Sequence, residues 1–169
     1  MLAALSRQHI AQAGRLGSGP ALGPQPAGGL KRVWNAEMKL DANATTLQSF
    51  LAFDFGMRRI GVASGSRLLG GAEPRGTLRG GDFDGIAALI KTWQPDALVI
   101  GVPRHPDGAP HEMTAKAQAF GRRLAGRYHL PVFEVDERYT SVDAEDAGAQ
   151  DVDAAAAALI LEQFFREHP

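Results

Sequence analysis

Apolar residues recur with two different periods from residue 49 onward, and the change of period predicts where strands give way to helices. Short apolar runs predict five strands, at residues 49–55, 58–65, 71–79, 96–102 and 131–135. Pro74 lacks an amide donor, so the third strand is expected at a sheet edge. The fourth run, DALVIGV, is continuously apolar, which is typical of a strand buried on both faces.

Apolar residues spaced three and four apart predict three helices. The first carries Ile86, Leu89, Ile90 and Trp93, the second carries Met113, Ala117, Phe120 and Leu124, and the third covers 152–167. Asp84, near the start of the first helix, is a candidate N-cap. Three strands in succession predict antiparallel pairing, whereas the later strand–helix alternation predicts parallel strands. The fold class is therefore α/β, with a mixed five-stranded sheet and helices packed on its faces.

The first 49 residues have a different composition from the remainder. Residues 14–30 are rich in Gly and Pro and show no period, which is typical of a disordered segment or linker. Met38 stands just before the first strand, so residues 1–37 are either an extension or sequence upstream of the true start. The predicted organisation is an N-terminal extension over 1–49 and one folded domain over 50–167.

Composition restricts the chemistry that this chain can perform. The chain contains no cysteine, which excludes disulfides, thiolate catalysis and cysteine-ligated metal sites. No apolar run approaches the length of a membrane span, and a cytoplasmic location is expected. The net charge is −1, so any attraction for nucleic acid must be local.

Carboxylates follow three of the predicted element boundaries. Asp54 lies inside an apolar strand, where an ionised group is costly unless it is paired or binds metal. Asp136 and Glu137 follow the last strand, and Asp151 and Asp153 open the last helix. Asp153 shares a helical stripe with core positions, so its side chain should face the sheet. If the three positions converge, they form an oxygen-lined site suited to Mg²⁺.

Each position also has an ordinary structural interpretation. Asp54 could stabilise the turn before Gly56, and Asp153 could cap the last helix and complement its dipole. Glu137 and Arg138 could form a surface ion pair. Side chains alternate along a strand, so only one of Asp136 and Glu137 should face a shared site.

Four segments resemble, in order, the motifs of the YqgF/RuvX family of RNase H-like proteins. They are LAFDFGMRRIGVASG (51–65), PDALVIGVPRHPDG (95–108), VDERYTSVDAE (135–145) and DVDAAAAALILEQFF (151–165). The family comprises proteins described as Holliday junction resolvases or pre-16S rRNA nucleases. The resemblance covers essentially all of residues 50–167.

The resemblance implies an RNase H-like fold and metal-dependent hydrolysis of phosphodiester bonds in structured RNA or branched DNA. The metal would be Mg²⁺ or Mn²⁺, with Asp54, Glu137 and Asp153 as catalytic ligands. The predicted task is 5′-end maturation of pre-16S rRNA in ribosome biogenesis. Substrate contacts would come from Arg58, Arg59, Arg138, Thr140 and Ser141, although the arginines could be solvated strand ends and the hydroxyls could cap a helix.

One departure from the family pattern bears on activity. The family carries a longer Gly- and Lys-containing loop before the closing helix, where this chain has only DAGAQ (146–150). Two alternative functions therefore stay open. One is a non-catalytic nucleic-acid-binding or ribosome-assembly module on the same fold, and the other is a Holliday junction resolvase. The sequence predicts no particular oligomeric state.

Overall fold

The computed structural model describes residues 46–137 and 152–169. Its strands are β1 (Ser49–Phe55), β2 (Arg59–Ser66), β3 (Gly71–Arg79), β4 (Ala97–Val102) and β5 (Val132–Asp136). Its helices are α1 (Phe83–Trp93), α2 (Glu112–Tyr128) and α3 (Val152–Glu167). All eight predicted elements are confirmed. None of the helices in the described ranges is long and apolar enough to cross a membrane.

The five strands form one mixed sheet in the order β3-β2-β1-β4-β5. β2 pairs antiparallel with β1 and with β3, whereas β4 pairs parallel with β1 and with β5. The predicted division into antiparallel and parallel halves is confirmed. β3 is an edge strand, and its Pro74 lies beside a register shift between Val62 and Ala63, where a missing amide donor is tolerated.

Two apolar layers cover the two faces of the sheet. Leu51 and Phe53 of β1 point towards α1 and α2, where they pack in one cluster with Phe120 and Leu124. The alternate β1 residues, Phe50 and Ala52, point to the opposite face and pack against α3; further members of this second cluster are Val99, Phe133, Val135, Ile160, Leu161 and Phe164. We call this second surface the α3 face.

The N-cap of the first helix lies two residues earlier than the sequence suggested. Asp82 is the N-cap, and its carboxylate accepts a hydrogen bond from the amide of Gly85 at 2.8 Å. Asp84 lies within the first turn, so the prediction that it caps the helix was wrong. The difference arises because Phe83 is already helical and its ring is buried against Phe120.

Candidate active site

Asp54 lies on the α3 face near the carboxyl end of β1. It is two residues beyond Ala52 and therefore continues the same side of the strand. Its cross-strand partner is Gly61 of β2, which has no side chain to cover it. Burial raises the pKa of Asp54 from 3.8 to about 6, and repulsion by the Asp153 carboxylate adds to the rise. Asp54 is therefore a largely buried carboxyl group that lies close to the carboxylate of Asp153.

Glu137 directly follows β5 and reaches back over the sheet. Phe133 and Val135 pack on the α3 face, so the alternation of side chains places Glu137 on that face too. Its carboxylate lies over Gly101 of β4, where an added Cβ would be 2.3 Å from the Glu137 Oε1. Burial raises the pKa of Glu137 to about 7, with further contributions from Asp54 and Asp136.

The choice between Asp136 and Glu137 follows from this alternation. Val132 packs in the α1/α2 cluster, and Asp136 shares its side of the strand. The Asp136 Oδ2 is 4.0 Å from the Nε of Arg104, and both side chains are mostly buried. Glu137 is therefore the residue on the same face as Asp54.

Asp153 reaches the same region from the first turn of α3. Its backbone carbonyl packs against Gly61, so closely that an added Cβ would be 1.8 Å from the oxygen. Because Gly61 is the cross-strand partner of Asp54, this contact brings the start of α3 beside Asp54. The Asp153 side chain is turned towards the sheet, as predicted, with 25% of its surface exposed. Its Oδ2 forms an ion pair with the Nε of Arg59, at 3.0 Å.

The three predicted carboxylates thus lie in a row with Asp54 in the middle. Asp153 raises the pKa of Asp54, and Asp54 raises the pKa of Glu137. In residues 46–137 and 152–169, no three carboxylate or imidazole side chains already converge on one point as a metal cage. Asp54 and Glu137 therefore lie near enough to repel each other, and Asp153 is paired with Arg59.

A family model described as "RuvX: Holliday junction resolvase" matches residues 48–167. The chain belongs to the RuvX family. The observed strand order and helices confirm the predicted α/β class, with a mixed five-stranded sheet.

Curated relatives are similar to this RuvX-family chain over the folded part. A protein of Albidiferax ferrireducens is 60% identical over 126 residues, which cover 73% of this chain and 81% of the relative. A protein of a Polaromonas species is 55% identical over 126 residues, covering 73% of this chain and 91% of the relative. Each carries the name "Putative pre-16S rRNA nuclease".

Solved structures of RuvC are more distant. Thermus thermophilus RuvC in complex with a Holliday junction substrate has a TM-score of 0.48 and 13% sequence identity, covering 70% of this chain and 93% of RuvC. A second T. thermophilus RuvC structure has a TM-score of 0.45 and 10% identity, covering 69% and 93%. Likeness at this level says nothing about the substrate.

The predicted substrate-binding residues are only partly described. Arg58 and Arg59 lie at the turn between β1 and β2, and both are exposed. Arg59 is not a free cation, because it pairs with Asp153. Arg138, Thr140 and Ser141 lie outside the described residues.

Sequence reasoning missed the two glycines that make room for the site. Gly61 admits the backbone of α3, and Gly101 admits the Glu137 side chain. Both stand in quoted motifs, as IGVA and VIGVP, but a glycine within a strand signals only that something approaches closely. Which group approaches is decided by the sheet register and by the position of α3.

Proposed function

We propose that this RuvX-family chain is a metal-dependent nuclease that hydrolyses phosphodiester bonds in structured RNA, with the 5′ end of pre-16S rRNA as its target. Its 55–60% identity to two relatives named as pre-16S rRNA nucleases supports the choice of substrate. The row of carboxylates on the α3 face supports the choice of chemistry.

The observation that carries the proposal is the electrostatic coupling of Asp54 and Glu137. Burial and repulsion hold the pKa values of these acids at about 6 and about 7, well above those of free carboxyl groups. A folded protein tolerates such a pair when a cation relieves the repulsion, and oxygen-only donors suit Mg²⁺ or Mn²⁺. The donor set therefore fits a divalent ion.

Asp54 and Glu137 would hold the ion, and Asp153, which now pairs with Arg59, would be the third ligand. A divalent ion bound there would lower the pKa of a coordinated water and stabilise charge on the leaving oxygen. Partial burial of Asp54 and Glu137 reduces solvent screening and so strengthens these interactions. Arg58 is exposed at the rim and positions a substrate phosphate.

Arg138, Thr140 and Ser141 remain proposed phosphate contacts on the strength of the family motif alone. The site is expected to act in the cytoplasm, where precursor rRNA is processed, and the chain could act as a monomer or a dimer.

The test is cleavage of an RNA that carries a precursor 5′ extension of 16S rRNA, assayed with Mg²⁺ and with Mn²⁺. Wild type should release the extension only when metal is added, and Asp54→Asn should abolish cleavage while its circular dichroism spectrum remains native. Asp84→Asn is the matched control, because Asp84 is exposed on α1 and far in the fold from the α3 face. Equal cleavage by wild type and Asp54→Asn would refute the assignment.

Two alternatives give different results in the same assay. The family description favours a Holliday junction resolvase, which would cut a four-way DNA junction in preference to the RNA. A binding module is favoured by the engagement of Asp153 with Arg59 and by the lack of a ready-made three-ligand cage in the described ranges. A binding module would retain RNA without cutting it under any divalent metal.

A further inference from the structure

The end of β3 is held tightly against the turn between β1 and β2. The amide of Gly80 donates to the carbonyl of Arg58 at 2.8 Å. An added Cβ on Gly80 would lie 2.0 Å from the carbonyl oxygen of Met57, so only glycine fits without a backbone shift. Arg79, the residue before Gly80, is therefore fixed beside the arginines of the turn.

Arg79 lies directly opposite Arg59 in the antiparallel β2–β3 register. The neighbouring pair, Ile60 and Leu78, packs into the α1/α2 cluster. By alternation, Arg59 and Arg79 both project on the α3 face, on the side where Asp153 lies. Residues opposed in this way have Cβ atoms about 5 Å apart, and like charges on directly opposed residues are destabilising.

Only one of these two opposed guanidinium groups is compensated. Asp153 pairs with Arg59. Arg79 is exposed and makes no ion pair within residues 46–137 and 152–169. The remaining acids of the neighbourhood are committed elsewhere: Asp82 caps α1, while Asp54 and Glu137 lie further along the carboxylate row. An exposed positive site therefore borders the candidate active site.

We infer that Arg79, together with Arg59, binds a backbone phosphate of the nucleic-acid strand beside the carboxylate row. A phosphate between the two guanidinium groups replaces their repulsion with charge-assisted hydrogen bonds. It also competes with Asp153 for Arg59, which couples arrival of the strand to release of that carboxylate. The pair is open to solvent, which suits a continuous backbone. The identity of the anion rests on the proposed function.

The experiment measures binding without cleavage, using the Asp54→Asn protein and a fluorescein-labelled RNA hairpin with a single-stranded 5′ extension. Affinity is measured by fluorescence anisotropy between 50 and 300 mM KCl. Each phosphate contact releases counterions, so it makes affinity fall more steeply as the salt concentration rises. Removing one phosphate contact should make the plot of log affinity against log salt less steep by about 0.7 to 0.9. Arg79→Gln should show that change, and Arg79→Lys should largely restore the slope.

Arg166→Ala is the matched control, since Arg166 is exposed in the last turn of α3, at the opposite end of that helix from Asp153. Its slope should equal that of the parent. In the active protein, Arg79→Gln should raise KM several-fold and leave kcat unchanged, because a positioning contact is made equally in the ground and transition states. The loss of affinity in the Arg79→Gln/Arg59→Ala double variant should be smaller than the sum of the two single losses, since both residues hold the same phosphate.

An Arg79→Gln slope and affinity indistinguishable from those of Arg166→Ala overturn the inference. Arg79→Gln should fold, because it removes one of two opposed charges, and its urea midpoint should match or exceed that of the parent. Failure of the nuclease proposal looks different: RNA binding would still depend on Arg79, but no metal would support cleavage by the wild-type protein.

Discussion

Replacing Asp54 by asparagine should stabilise the metal-free protein at high pH, the opposite of what most substitutions in a strand do. Ionised Asp54 is disfavoured in the folded state, because it is buried and lies next to Asp153. The rise of its pKa from 3.8 to about 6 corresponds to about 3 kcal/mol at pH 8. The expected gain is about 1–3 kcal/mol, since local relaxation and water entry reduce the full value.

The size of the effect depends on pH in a defined window, and its direction stays the same. Below pH 3.8 the carboxyl of Asp54 is protonated in both folded and unfolded chains, so it imposes no penalty. Between 3.8 and about 6 only the unfolded chain ionises freely, and the wild-type protein loses stability as pH rises. Above about 6 the penalty is complete. Glu137 should behave likewise up to about pH 7.

Urea unfolding in EDTA, at pH 8 and at pH 4, measures the difference. A gain of 1–3 kcal/mol moves the midpoint by roughly 0.5–1.5 M for an m-value of about 2 kcal/mol/M. The midpoint of Asp54→Asn should exceed that of wild type at pH 8 and approach it at pH 4. The exposed control Asp84→Asn should change stability by under about 0.5 kcal/mol at either pH. If Asp54→Asn is less stable than wild type at pH 8, the account of a strained, repelling carboxylate is refuted.

Three further predictions follow from the contacts around α3. Arg59→Ala removes the ion pair of Asp153, which is worth up to about 1 kcal/mol. Mn²⁺, measured by calorimetry, should therefore bind up to about five-fold more tightly to this variant than to wild type. Weaker binding would show instead that Arg59 helps to form the site. Gly61→Ala places a Cβ 1.8 Å from the Asp153 carbonyl and should destabilise the fold by about 1–3 kcal/mol, whereas Gly126→Ala, with nothing within 4 Å, should be neutral or stabilising in the same urea titration. Phe164→Ala should cost about 3–5 kcal/mol, and a loss under 1 kcal/mol would contradict the buried packing of its ring.

Local patterns were sufficient to predict the elements and the sheet. The period of apolar residues distinguishes strands from helices because it reflects backbone geometry within a few residues. DALVIGV reads as a strand buried on both faces, and every residue of β4 is buried. Asp54 stood out for a similarly local reason, since a carboxylate in an apolar run needs a compensating partner.

The capping of α1 shows where local reasoning failed. Two acidic residues, Asp82 and Asp84, stand near the start of the helix, and either could accept hydrogen bonds from the first amides. Burial of Phe83 against Phe120, which lies on another helix, selected Asp82. The decision depended on a contact between elements that are distant in the sequence.

The sequence alone determined which elements form and which acids require an explanation, because both follow from short-range geometry and from the cost of desolvating charge. Tertiary structure decided which groups meet. The pairing of Asp153 with Arg59, the position of Glu137 over Gly101 and the opposition of Arg79 to Arg59 all depend on strand register and on the position of α3. Those depend on packing over the whole domain, which no short segment of the chain encodes.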